Sequence, residues 1–136
     1  MADSDRSLVR VVVPIYRELT PDEEASLRNN VRTLAAWPFT VLHPEGVCPP
    51  ACCAELHLET RAVGDEWLGR RNGIAGYNRM MLSEAFYAMF ADAEYVLICH
   101  TDAWIFRDEL AEWCGRGYDC VAAPWLRRPL YDLPLV

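Results

Sequence analysis

Leu8-Val9-Arg10-Val11-Val12-Val13-Pro14 is followed by Thr20-Pro21-Asp22-Glu23 and then by Phe39-Thr40-Val41-Leu42. The reading of these three pieces decides the fold. The first is a β-branched apolar run closed by proline, the pattern of a central strand. Thr20 is a helix N-cap, Pro21 suits the first helical position, and Glu23 completes a capping box. The helix should run to about Ala36 and bury Leu27, Val31, Leu34 and Ala35. Trp37-Pro38 stops it, because the residue before a proline is pushed out of the helical region. Phe39–Leu42 is then a short second strand. Strand, helix and strand make a βαβ unit with parallel strands and a right-handed crossover.

Outward from that unit, His43 to Val63 is the least regular stretch, with Pro44, Gly46, Pro49 and Pro50 in its first half. Glu55–Leu58 reads as strand or loop, and Asp65–Gly73 as a turn into the next helix. Tyr77 to Phe90 is helical and apolar on most sides (Met81, Leu82, Ala85, Phe86, Met89, Phe90), which predicts a largely buried helix. Tyr95–Cys99 is a further apolar strand. Asp108 caps a short helix over Glu109–Cys114, closed by Gly115 and Gly117. Cys120–Ala123 is expected to be a last strand, ending at Pro124-Trp125. About four strands alternating with about three helices predict an α/β domain of three layers, Rossmann-like, with a mostly parallel sheet. The 136 residues read as a single domain, with a core over 7–125 and a tail over 126–136.

Composition narrows the chemistry. Hydrophobic residues are 52% of the chain, enough for a real core. The formal charge of −7 argues against nucleic acid, which wants a basic footprint. All 13 basic residues are arginines. A Schiff-base mechanism and a Walker-type phosphate loop both need lysine and are excluded. Ser4, Ser7, Ser26 and Ser83 are the serines, and none lies in a G-x-S-x-G elbow. The polar, acidic N-terminus carries no signal core, and no run approaches the ~20 apolar residues of a membrane span. A cytoplasmic protein with its six cysteines reduced is expected.

Four constellations carry chemistry. His100-x-Asp102 follows the strand at Tyr95–Cys99. In open α/β sheets ligands bind outside the carboxyl ends of the strands. On an extended backbone residues two apart share a side, so both could reach one ligand or one divalent cation. Mg²⁺ or Mn²⁺ held with a diphosphate suits one or two carboxylates. The alternative makes Asp102 a turn or capping residue and His100 a satisfied core group. Second, Arg70-Arg71-Asn72-Gly73-Ile74-Ala75-Gly76-Tyr77-Asn78 opens a helix, where glycines let the backbone approach an anion. A solvated loop with a glycine entry to the helix is the simpler reading of the same residues. Third, Pro14-Ile15-Tyr16-Arg17 ends the first strand, where Tyr16 could stack on a base and Arg17 meet phosphate, or Tyr16 could simply pack on the core. Fourth, Cys48-x3-Cys52-Cys53-x3-His57 fits no common zinc spacing. Core packing is the default for Trp104, Phe106, Trp113 and Trp125.

The block Asp102-Ala-Trp-Ile-Phe-Arg-Asp-Glu-Leu110, with the strand before it and Trp113-Cys, Gly117-Tyr-Asp and Ala122-Ala-Pro-Trp125 after it, resembles a family of uncharacterised glycosyltransferase-like domains. Val12-Val-Pro-Ile-Tyr16 and Gly73-Ile-Ala-Gly-Tyr-Asn78 look like earlier motifs of the same family. The resemblance implies a GT-A fold that binds a nucleotide-diphosphate sugar and transfers the sugar to an unknown acceptor. It implies that Asp102, at the last position of a D-x-D element, holds the ribose or a metal on the diphosphate and serves catalysis. His100 stands at the first position, so the element is H-x-D. It further implies that Asn78 and Arg71 meet the nucleotide, and that Pro14, Tyr16 and Arg17 contact base and phosphate. Such domains continue past the A-P-W block, whereas eleven residues follow Trp125 here. Either a fragment of a longer protein or a domain shortened at its C-terminus, with reduced activity, is therefore expected. A catalytically inactive binding or assembly module on the same fold, associating as a homodimer, is the alternative.

Overall fold

A computed structural model describes residues 6–123. Its centre is a four-stranded, all-parallel sheet in the order β3-β2-β1-β4, with β1 Ser7–Pro14, β2 Phe39–Pro44, β3 Glu59–Val63 and β4 Ala93–Ile98. Val11 pairs with Phe39 on one side and with Leu97 on the other. β1 is covered on both faces, which is why it reads as a continuous apolar run rather than an alternating one.

Helices lie on both faces. On one, α1 (Pro21–Thr33) and α2 (Ala51–Glu55) bring Leu27 and Cys53 onto Val11, Val13 and Val41. On the other, α3 (Gly73–Met81) and α4 (Glu84–Ala88) set Met80 and Phe86 against Val12 and Leu42. A fifth helix, α5, spans Leu110–Cys114. The fold is thus α/β with three layers, as the strand–helix alternation predicts. The capping box is present: Glu23 N–H donates to Thr20 Oγ1 at 3.3 Å, and Thr20 N–H donates to Glu23 Oε2 at 2.8 Å. Among the described residues no helix is long and apolar enough to cross a membrane.

Several local expectations are corrected. The third strand is Glu59–Val63, paired with β2, and not Glu55–Leu58. Cys120–Ala123 forms no strand, so β4 is an edge among the described residues. The single helix expected over Tyr77–Phe90 is two. Ser83 N–H donates to Met80 O as α3 ends, and Leu82 at the break is 88% exposed. Trp104, Phe106 and Trp113 are exposed rather than core; they follow the edge strand, and the Arg116 guanidinium lies 4.1 Å from the Trp113 ring centroid. Ala35 is exposed too, since α1 ends at Thr33. Cys52 and Cys53 are buried while Cys48 is exposed, and no group of three metal-ligating side chains occurs among the described residues. Pro124, Trp125 and the tail lie outside the described residues.

Candidate functional site

The strand order sets the site. From β1 the chain winds to β2 and β3 on one side, then returns to place β4 on the other. The carboxyl ends of β1 and β4 therefore diverge at a topological switch point, where a crevice opens. Two adjoining cavities lie there. The smaller, about 90 Å³, is bordered by Pro14, Tyr16, Arg17 and Glu23 on one side and by His100, Thr101 and Asp102 on the other. The larger, about 310 Å³, shares Pro14, Tyr16 and His100 and adds Leu68, Gly69, Arg70, Gly73, Ile74 and Tyr77. That size is at the lower end of the range for small-molecule sites.

The loop carrying Asp102 is held from α1. Three adjacent polar side chains of that helix, Ser26, Asn29 and Asn30, are buried. Ser26 Oγ and Asn30 Nδ2 each donate to Ala103 O at 2.7 Å. Ile105 N–H donates to Asn30 Oδ1, and Asn29 Nδ2 donates to Ile105 O, both at 2.8 Å. Polar groups buried this deeply persist because they are paired with one another. Sequence reasoning missed these positioning residues. The signal was a carboxamide at 30 on the same stripe as Leu27 and Leu34.

Asp102 itself is exposed, in a turn closed by Ala103 N–H donating to His100 O at 3.2 Å. β4 has ended at Ile98. The expectation that His100 and Asp102 share a side of an extended strand is therefore corrected, although both border the smaller cavity. His100 Nε2 lies 2.9 Å from Tyr77 Oη, and the two rings are tilted at 58°. Burial pushes the Tyr77 phenol above its ordinary pKa.

Arg17 is fully engaged. It donates to both carboxylate oxygens of Glu23, at 2.7 and 2.8 Å. The guanidinium hydrogen bond, followed by the Thr20 N–H, lowers the Glu23 carboxyl to about 2. Tyr16 is half exposed, with the Arg17 guanidinium 5.8 Å from its ring centroid. Arg71 and Asn78 are exposed and border neither cavity; Arg70 and Tyr77 beside them do. Gly73, at φ +48°, opens onto the larger cavity. Gly76 serves packing instead of a ligand: a Cβ there would lie 2.9 Å from Glu66 O and 3.0 Å from Trp67 O.

Residues 57–133, more than half of the chain, match the family described as Protein of unknown function (DUF5672). The chain belongs to this family. The DUF5672 match takes in Arg70, Tyr77, His100 and Asp102, and begins after the β1 end that supplies Pro14, Tyr16 and Arg17. Comparison with curated proteins and with solved structures gave no significant match.

Proposed function

We propose that the crevice between the β1 and β4 ends binds a nucleotide-diphosphate sugar, and that the chain is a glycosyltransferase or its donor-binding half. One observation carries this reading. Residues from two separate strand ends, Tyr16 from one and His100 with Asp102 from the other, border one crevice at the switch point. The larger cavity supplies apolar and aromatic surface for a base, and the smaller supplies a carboxylate for hydroxyl groups. Asp102, in this reading, accepts hydrogen bonds from the ribose. The resemblance of the 102–110 block to glycosyltransferase-like domains adds to it.

The test is calorimetric titration with UDP and GDP, on the wild type and on Asp102→Ala. Binding of one nucleotide, weakened tenfold or more in the variant, is the expected result. Failure of both nucleotides to bind would remove the reading. A second reading, a non-catalytic assembly module, draws on the exposed Trp104, Phe106 and Trp113 next to the edge strand. Light scattering separates the two: turnover by a monomer opposes the module.

A further inference from the structure

We propose that the anionic end of the nucleotide is met by the Arg70 guanidinium, beside the Tyr77–His100 pair, and not by a divalent cation shared between His100 and Asp102. This rests on the nucleotide-diphosphate reading and adds to it the group that balances the phosphate charge.

The donors around the crevice are already assigned. His100 Nε2 and Tyr77 Oη are 2.9 Å apart. If the phenol donates, the Nε2 lone pair is occupied; if the imidazole donates, Nε2 carries a proton. With the phenol donating, the ring proton sits on Nδ1 and neither nitrogen is open to a metal; with the imidazole donating, Nδ1 alone keeps a lone pair. Glu23 accepts from Arg17 twice and from Thr20 N–H. Asp102 is the remaining carboxylate bordering the smaller cavity. One carboxylate is a minimal foothold for a hard cation, which then depends on the phosphates and water for its other ligands.

The cations divide in the same way. Arg17 and Glu23 cancel each other, so with Asp102 the smaller cavity is net negative and repels phosphate. Arg70 has no carboxylate partner among the described residues and borders the larger, mainly apolar cavity. Arg70 is exposed at the rim of that cavity, and its guanidinium presents paired donors that match phosphate oxygens. Arg70 is thereby separated from Asp102 by the shared wall of Tyr16 and His100, with the phosphates on one side and the hydroxyl-binding carboxylate on the other.

The experiment titrates UDP and GDP into the whole chain in EDTA and again in Mn²⁺, with Arg70→Gln alongside and uridine and guanosine as phosphate-free probes. The inference expects nucleotide affinity in EDTA within threefold of that in Mn²⁺. It expects Arg70→Gln to weaken UDP or GDP tenfold or more while leaving the nucleosides and the circular dichroism spectrum unchanged. Binding abolished by EDTA and restored by Mn²⁺ would overturn the inference and leave the nucleotide reading standing, as would an Arg70→Gln variant that binds like the wild type. No binding of any nucleotide, with or without metal, overturns both.

Discussion

The two walls of the crevice are held by different forces. The wall at His100–Asp102 is anchored just beyond it, at Ala103 and Ile105, by directional bonds from buried side chains of α1. The wall at Leu68–Tyr77 stands on apolar packing, with Leu68, Met80, Phe86 and Phe90 beneath it and Trp67 edge-on to Phe86 at 6.5 Å. Apart from the Tyr77 Oη–His100 Nε2 bond, its hydrogen bonds are local, such as Asn72 Nδ2 to Asp65 O at 3.1 Å. Packing is non-directional and tolerates small displacements of the backbone, whereas a carboxamide bonded on both ends sets backbone atoms in place. The carboxylate side of the crevice is therefore built for position, and the arginine side for fit.

Each wall can be broken separately. Phe86→Ala should destabilise the protein by about 3–5 kcal/mol, since a fully buried aromatic leaves both lost transfer energy and a cavity. Chemical denaturation gives the figure, and hydrogen exchange should show Leu68–Tyr77 losing protection before the Ile105 amide. Asn30→Ala should cost about 1–3 kcal/mol, because Ile105 N–H loses its acceptor and Ala103 O one of its donors. Here the order of exchange reverses, with the Ile105 amide opening first. If both variants loosen the two walls equally, the distinction between them fails.

Smaller changes sharpen the comparison. Alanine is favoured over glycine in a helix by about 1 kcal/mol. At Gly76 its Cβ would meet the Glu66 and Trp67 carbonyl oxygens, an overpacking that costs about 1–3 kcal/mol. Gly76→Ala should thus lose about 1 kcal/mol net and shift UDP or GDP affinity more than Asp102 geometry. Glu23→Gln should have the smallest effect at neutral pH. The Glu23 carboxyl lies near 2 in the folded chain against 4.5 ordinarily, so its ionisation favours folding above about 4.5. The stability gap between wild type and Glu23→Gln should close as pH falls from about 4.5 toward 2, read by acid titration of the unfolding midpoint.

The sequence was most legible where local chemistry and burial agree. β1, the capped start of α1 and β2 follow from a β-branched run, a capping box and a second apolar run, whereas α1 ends at Thr33, short of the Trp-Pro stop. β3 escaped notice because Val63 alone of its residues is buried, leaving no apolar pattern to read. The break at Leu82-Ser83 was hidden by apolarity on all sides, since Leu82 looks like core and is not. The place of the crevice was legible, because strand ends and a switch point follow from topology. Its internal pairing was not. That Arg17 would be occupied by Glu23, and that Tyr77 would reach His100, depends on loop paths that spacing does not encode. The resemblance put Arg71 on the nucleotide, whereas the path into α3 brings Arg70 to the cavity.

The place of β1 also governs the order in which the molecule assembles. Its pairing with β2 joins near neighbours in the chain, while its pairing with β4 joins Ser7 to Ala93. A chain emerging from the ribosome can close β1, α1 and β2 long before β4 exists, and distant strand pairings form late. During that interval the most apolar strand of the protein has one bare edge, the surface on which strands of other molecules pair. Asn30 then waits for Ala103 and Ile105. The crevice is thus completed only when β4 and the loop after it have been made, and the growing chain is most exposed to misassembly until then.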